Sequence, residues 1–362
     1  MYDLLLKKAK VIEILEERDN INFLIVELEN KEKCKAVNYS RITGTVNIND
    51  ILIVNTTALE LSLGTGGYHY VHLNLSNIDN SYKLDDFREN KGHIMKMRYT
   101  PMQIRTLCAE EKASPYHDTI NNFKSLDNLP VITLPLHSHL APLLITYKSF
   151  FPNKKVVYIM SEGGSQALEF SNLIRKLKSL DCIDKTITYA NCFGGDYETI
   201  NIFTALILAK EVEEADLIVV AMGPGIVGAS SKYGFSGVEN VFIDKAVRTL
   251  GGRSIFVPRI SFADERKRHY GISHHSITIL KDLISETVEL AFPENEYIKK
   301  QLDKNKLIAK HKISFYPIEE IEDILIDSQF SFNSMGRKFA DDPLFFITAG
   351  LAVFLLKEDI KT

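Results

Sequence analysis

Two adjacent histidines, His274 and His275, close the densest run of reactive side chains in the chain, Arg259 to His275. Arg259, Arg266 and Arg268 in that run could hold an anionic group in bidentate fashion. Ser273 suits a helix N-cap, with Ile272 and Ile277 as the apolar staple across it. The histidines would then lie in the first helical turn, at the positive end of the helix dipole, which disfavours imidazolium. A neutral imidazole can act as a general base or ligate a metal. Asp264 is the candidate to orient one ring. The competing reading is a solvated, charged turn before a helix.

His137-Ser138-His139 is a second candidate. On extended backbone, residues two apart face the same side, so both rings could reach one ion. With His274 and His275 they would form a nitrogen set for a divalent metal, zinc or manganese. Capping or core histidines are the alternative. Phe193-Gly194-Gly195-Asp196-Tyr197-Glu198 reads as a strand-to-helix turn. There the amides of Gly194 and Gly195 could meet an anion, and Asp196 could serve catalysis or simply cap the helix. Met222-Gly223-Pro224-Gly225 fits a type II turn that exposes amides at Gly223 and Gly225. Ser161-Glu162-Gly163-Gly164-Ser165 could cradle phosphate, or place Ser165 as a cap. GK[ST] does not occur, so no P-loop is expected; Gly223, Gly225 and Gly228 have GxGxxG spacing, but with Gly223-Pro224-Gly225 read as a turn, no dinucleotide fingerprint is expected from that spacing alone.

The elements that must position these residues are legible in the hydrophobic pattern. Up to Leu75, short runs rich in branched and aromatic residues (11–14, 23–28, 51–54 and 68–75) read as strands. From 130 onward, compact apolar runs at 131–134, 155–160, 186–190, 216–222 and 254–257 alternate with helical patterns at 140–151, 166–180, 198–212 and 238–250. That alternation predicts parallel βαβ units. A further strand is expected at Lys312–Tyr316, and a final helix from Pro343 with Asp342 as its cap. The expected fold class is α/β: a small N-terminal β-barrel-like domain over 1–92, a connecting segment over 93–129, and a doubly wound, mostly parallel αβα sandwich over 130–362, Rossmann-like and closed by a C-terminal helix. Loops at the carboxyl ends of such strands converge on one crevice.

Composition narrows the function. The 362 residues are 45% hydrophobic and 25% charged, with a net charge of −4 and no long block of one sign. Broad nucleic-acid binding needs a basic face and is not expected. Cys34, Cys108, Cys182 and Cys192 form no CxxC pair, which predicts reduced, structural thiols. Charges interrupt the first residues, and the longest apolar run, Leu344–Leu356, is too short to span a bilayer. No membrane association and a cytoplasmic location follow as expectations. The composition leaves room for a homo-oligomer.

Taken in order, several motifs resemble an uncharacterised bacterial family known only as a domain of unknown function. They are Leu63-Gly64-Thr65-Gly66-Gly67, Gly92-His93-Ile94-Met95-Lys96, Phe193-Gly194-Gly195-Asp196, Met222-Gly223-Pro224-Gly225, Ser261-Phe262-Ala263-Asp264, Gly271-Ile272-Ser273-His274-His275 and Ser334-Met335-Gly336-Arg337. The resemblance implies that the polar loops belong to one unit, and it implies no mechanism. The leading expectation is an enzyme, a hydrolase or group transferase, acting on a small anionic metabolite at the carboxyl ends of the strands. The alternative is a non-catalytic ligand-binding or scaffolding protein that senses a nucleotide or anion.

Overall fold

A computed structural model describes residues 4–64, 66–77, 92–161 and 167–358. The predicted 161–165 loop beyond Ser161, Thr65, and the start of the predicted helix at Gln166 lie outside the described residues. The chain divides into two compact units, Met1–Thr106 and Leu107–Thr362.

The first unit is a closed barrel of β1 (Leu6–Arg18), β2 (Ile21–Leu28), β3 (Lys33–Tyr39), β4 (Ile51–Asn55) and β5 (His69–Asn74), in the order β1-β2-β3-β5-β4. Register shifts between Val11 and Glu13 and between Ile14 and Glu16 bend β1. Such bends let one long strand serve two neighbours, and β1 pairs with both β2 and β4. Val11, Leu24, Val26, Leu52 and Val54 fill the interior. Closure leaves no free sheet edge.

The predicted connecting segment does not stay one piece. A hairpin of β6 (Ile94–Lys96) and β7 (Ile104–Thr106) ends the first unit. The rest is tied into the second, with Ala109 donating to the Glu198 carbonyl and Leu126 to the Leu250 carbonyl.

The second unit is built on an eight-stranded sheet whose strands all pair in parallel. Its strands are β8 (Pro130–Leu134), β9 (Val156–Ser161), β10 (Lys185–Tyr189), β11 (Tyr197–Thr199), β12 (Leu217–Met222), β13 (Arg253–Phe256), β16 (Glu289–Pro293) and β17 (Lys312–Tyr316). They lie in the order β11-β10-β9-β12-β8-β13-β16-β17. Every residue of β9 and β12 is buried, as expected of strands covered on both faces. Helices 140–150, 172–179, 319–327 and 343–357 pack on one face. Helices 202–211 and 239–249 pack on the other. The apolar run at the C-terminus is the helix Pro343–Lys357, buried on nearly every side, which explains its lack of a polar stripe. No helix among the described residues is long and apolar enough to cross a membrane. None of the four cysteines, all among the described residues, forms a disulfide.

Candidate functional site at the carboxyl edge of the sheet

The strand order places the site. From β8 the chain runs to β9, passing β12; from β12 it runs to β13, passing β8 in the opposite direction. Right-handed crossovers then put the two following helices, 140–150 and 239–249, on opposite faces, where the two cores hold them. The loops leaving β8 and β12 therefore part, and a crevice opens between them. A cavity of about 600 Å³ sits there, lined by Leu136 to Ser138 after β8 and Met222 to Ile226 after β12. Gly223 and Gly225 line this cavity.

A second cavity of about 210 Å³ adjoins it and is lined by Arg259, Arg266, Arg268, His269 and His275. The segment that supplies these residues is a clamped lobe rather than a solvated turn. Ile260–Ser261 (β14) pairs antiparallel with Gly271–Ile272 (β15) and draws both ends together. Ser273 caps the helix His274–Thr278, its hydroxyl accepting from the His275 amide at 3.3 Å. Burial of Ile272 in the core cluster against which Ile277 packs supports the predicted staple.

Asp264 takes a different partner from the one predicted. Instead of a histidine it binds guanidiniums: Arg259 Nη2 at 2.7 Å, and Arg266 Nε and Nη2 at 2.9 and 2.8 Å. Arg337 stands 3.8 Å away. The Arg266 guanidinium, with help from Arg259, holds this carboxyl far below the usual carboxylate range. The physical reason is that bidentate, charge-assisted pairs outbid a neutral imidazole for a buried carboxylate. Asp342 also departs from its predicted role. Its side chain makes no cap bond to helix 343–357 and accepts instead from the Ser261 hydroxyl and the Phe262 amide. Among the described residues, Arg259 and Arg266 pair with Asp264, and Arg337 approaches both Asp264 and Asp342; with Arg268, Lys267 and Glu265 counted as well, the lobe stays net positive. Arg259 is 5% exposed, lines the cavity, and has an Nε with no hydrogen-bond partner among the described residues.

Three imidazoles meet beside these arginines. The ring centroids of His269, His274 and His275 lie 4.2–5.0 Å apart. Arg268 donates to His269 Nε2 at 3.3 Å, so Nδ1–H is the donor to the Ser273 hydroxyl at 2.8 Å. Burial, then Arg259 and Arg266, push His269 down to about 3. Burial, then His274 and the arginines, push His275 down to about 4. His274 is lowered by burial and by Arg268, and its buried Nε2 has no partner among the described residues. The His275 ring stacks on Phe235 at 4.0 Å. All three are therefore neutral bases or ligands near neutral pH.

Other predicted residues lie elsewhere. His137–His139 form a 3-10 turn, not extended backbone, so the two rings do not share a side. His137 donates from Nδ1 to the Met222 carbonyl at 3.1 Å and accepts at Nε2 from Ser171 at 2.7 Å. Both nitrogens are used, and it joins β8 to β12 rather than a metal. His139 is fully buried against Phe345, with centroids 4.4 Å apart. Among the described residues, the potential metal-ligand group is His269, His274 and His275, without the earlier pair. Asp196 accepts from the amide and hydroxyl of Thr186, both at 2.7 Å, and pairs with Lys178 at 2.9 Å. That places its carboxylate at the amino end of β10, away from the crevice. The Gly194 and Gly195 amides are taken by Glu198 and by the Thr188 hydroxyl, at 2.7 and 3.2 Å, and are not open to an anion. The reason is a short edge strand, β11, that follows this loop; the helix begins only at Ile202, capped by Asn201.

His269 is the member that sequence reasoning passed over. The available signal was its place five residues before His274, across a glycine that permits a sharp return. Gly271 has φ +70, and a Cβ there would meet Gln301 Oε1 at 2.3 Å and Tyr297 Cε1 at 2.7 Å. Gln301 Oε1 also accepts from the Ile272 amide at 2.7 Å. Gly271→Ala should therefore lose about 2–3 kcal/mol in urea unfolding, combining left-handed strain with overpacking. Gly336→Ala, at φ +81 with open space around it, should lose only about 1 kcal/mol. Equal losses would show that the collision at Gln301 relaxes freely.

The family model described as "Protein of unknown function (DUF3866)" matches residues 35–353. No curated protein matches the chain.

Proposed function

The chain belongs to the DUF3866 family, whose function is unknown, and we propose that it is an enzyme, a hydrolase or group transferase, acting on a small anionic metabolite at this crevice. One observation carries the reading: neutral imidazoles and a buried, under-bonded arginine line the same small cavity. A buried guanidinium N–H without a partner is costly, and an oxyanion supplies the missing acceptor. Arg259, Arg266 and Arg268 hold the anionic group. His275 or His274 takes the proton from a water or an acceptor hydroxyl as that oxygen bonds to the phosphorus or acyl carbon. The ester bond breaks, and the proton passes to the leaving oxygen. A panel of phosphate and carboxylate esters tests this. Turnover should fall about 10²–10⁴-fold in His275→Ala. Undiminished turnover sinks the residue's role; phosphate binding with no turnover on any ester favours the non-catalytic, ligand-sensing alternative.

A single spacing supports a second reading. The ligand atoms of His269, His274 and His275 lie within 4.8 Å of one another. His274 and His275 offer ring nitrogens to zinc, and His269 Nε2 joins them only when Arg268 turns away from it; the ion would activate the attacking water. The arginines oppose a bare cation, so the ion would bind together with its anion. Metal content by mass spectrometry, beside a His274→Ala/His275→Ala variant, separates the readings: stoichiometric zinc lost in the variant supports the ion, and none in either leaves the histidines as acid–base groups.

A further inference from the structure

The two cavities are neighbours, and Leu136, Ile226 and Met335 belong to the linings of both. Their chemistry differs. The smaller presents three arginines. Leu173, Ile226, Phe330, Phe332 and Met335 supply apolar wall to the larger, with Ser138, Asn172, Asn333 and Ser334 among its polar members; its one lysine or arginine among the described residues, Lys176, lies 4.0 Å over the Phe330 ring. His137 also lines it, with both nitrogens already bonded within the protein. About 600 Å³ is the size of chamber that takes the whole body of a drug-sized ligand.

We infer that the ligand is amphiphilic: a phosphate monoester whose anionic head sits among Arg259, Arg266 and Arg268 and whose apolar body fills the Leu173–Phe330–Phe332 chamber. This deepens the proposed function and rests on its anion site. A free inorganic anion would leave the apolar walls in water, and a neutral apolar molecule would leave the Arg259 Nε unpaired. One ligand with both parts satisfies both chambers at once.

Calorimetric titration with inorganic phosphate and with butyl, octyl and dodecyl phosphate, below their micellar concentrations, tests the inference. Each methylene that enters the chamber should tighten binding about threefold, giving about a hundredfold between the butyl and octyl esters. Leu173 is only partly buried, so Leu173→Asp should fold. The variant should lose the chain-length gain and keep the affinity for inorganic phosphate. Dodecyltrimethylammonium, with the same tail and the opposite charge, should bind at least tenfold more weakly than dodecyl phosphate. A flat chain-length series with phosphate still bound overturns the amphiphile and leaves the anion site standing. A cationic amphiphile that binds as tightly overturns the head-group placement. No binding by any phosphate overturns the anion site, and this inference with it.

Discussion

Replacing Asp264 by alanine should cost about 3–5 kcal/mol of stability, because it leaves a buried guanidinium with no counter-charge. The side chains of Asp264 and Arg259 are 3% and 6% exposed. Without the carboxylate, the buried Arg259 would face Arg266 and Arg337, whose side chains are 52% and 25% exposed, so the cost falls chiefly on Arg259. The contrast is a solvated pair, Lys299 with Glu296, where both side chains are well exposed. Lys299→Ala should change stability by less than about 1 kcal/mol. Guanidinium chloride would mask a charge effect, so urea unfolding is the right measurement. Added phosphate should restore more melting temperature to Asp264→Ala than it adds to the wild type, since an anion can occupy the carboxylate's place. A loss below about 1 kcal/mol would mean that water reaches Arg259 after all, and would remove the reason to expect a tightly held anion.

Acid should unfold the second unit well before its carboxylates are protonated. Burial lowers His137 from 6.5 to about 4 and His139 from 6.5 to about 3. The unfolded chain takes up these protons as pH falls through 6.5, while the folded protein resists until about 4 or lower. Stability is therefore complete above pH 6.5 and declines below it. At pH 5 each group has cost about 2 kcal/mol, about 4 kcal/mol together, a large share of the roughly 5–15 kcal/mol that holds a domain folded. His269 and His275 act in the same direction. Asp264 works in a separate window: its contribution is present above its ordinary value of 3.8 and lost only below it.

The variant His139→Leu isolates the cause. It removes one titration and two buried nitrogens that have no partner. It should raise stability at pH 7 by about 1–3 kcal/mol and flatten the decline between pH 6.5 and 5. Urea midpoints measured across that range for both proteins decide the matter. A wild-type decline that begins only below pH 4 would assign acid unfolding to carboxylates and acquit the histidines.

What the sequence determined by itself was local. The continuous apolar runs at 131–134 and 217–222 could only be buried strands, and β17 spans the predicted Lys312–Tyr316. Strands with a weaker pattern were missed: β11 is only Tyr197–Thr199, and β16, Glu289–Pro293, lies between helical segments. The Ser273 cap was legible because the cap and the amide it accepts from are two residues apart. So was the chemistry of the Arg259–His275 run, since residue types carry it. Tertiary structure alone decided which of those residues meet. Strand order rests on which face each helix can cover, and no periodicity encodes that β12 lies beside β8, with Ile218 opposite Val131. That adjacency opens the crevice, turns His137 into a link between two strands, and leaves Asp196 at the other end of the sheet. Asp264 chose arginines over a histidine for the same kind of reason: Arg259 and Arg337 reach it only in the folded chain, and in a dry interior the strongest available charge pairing wins.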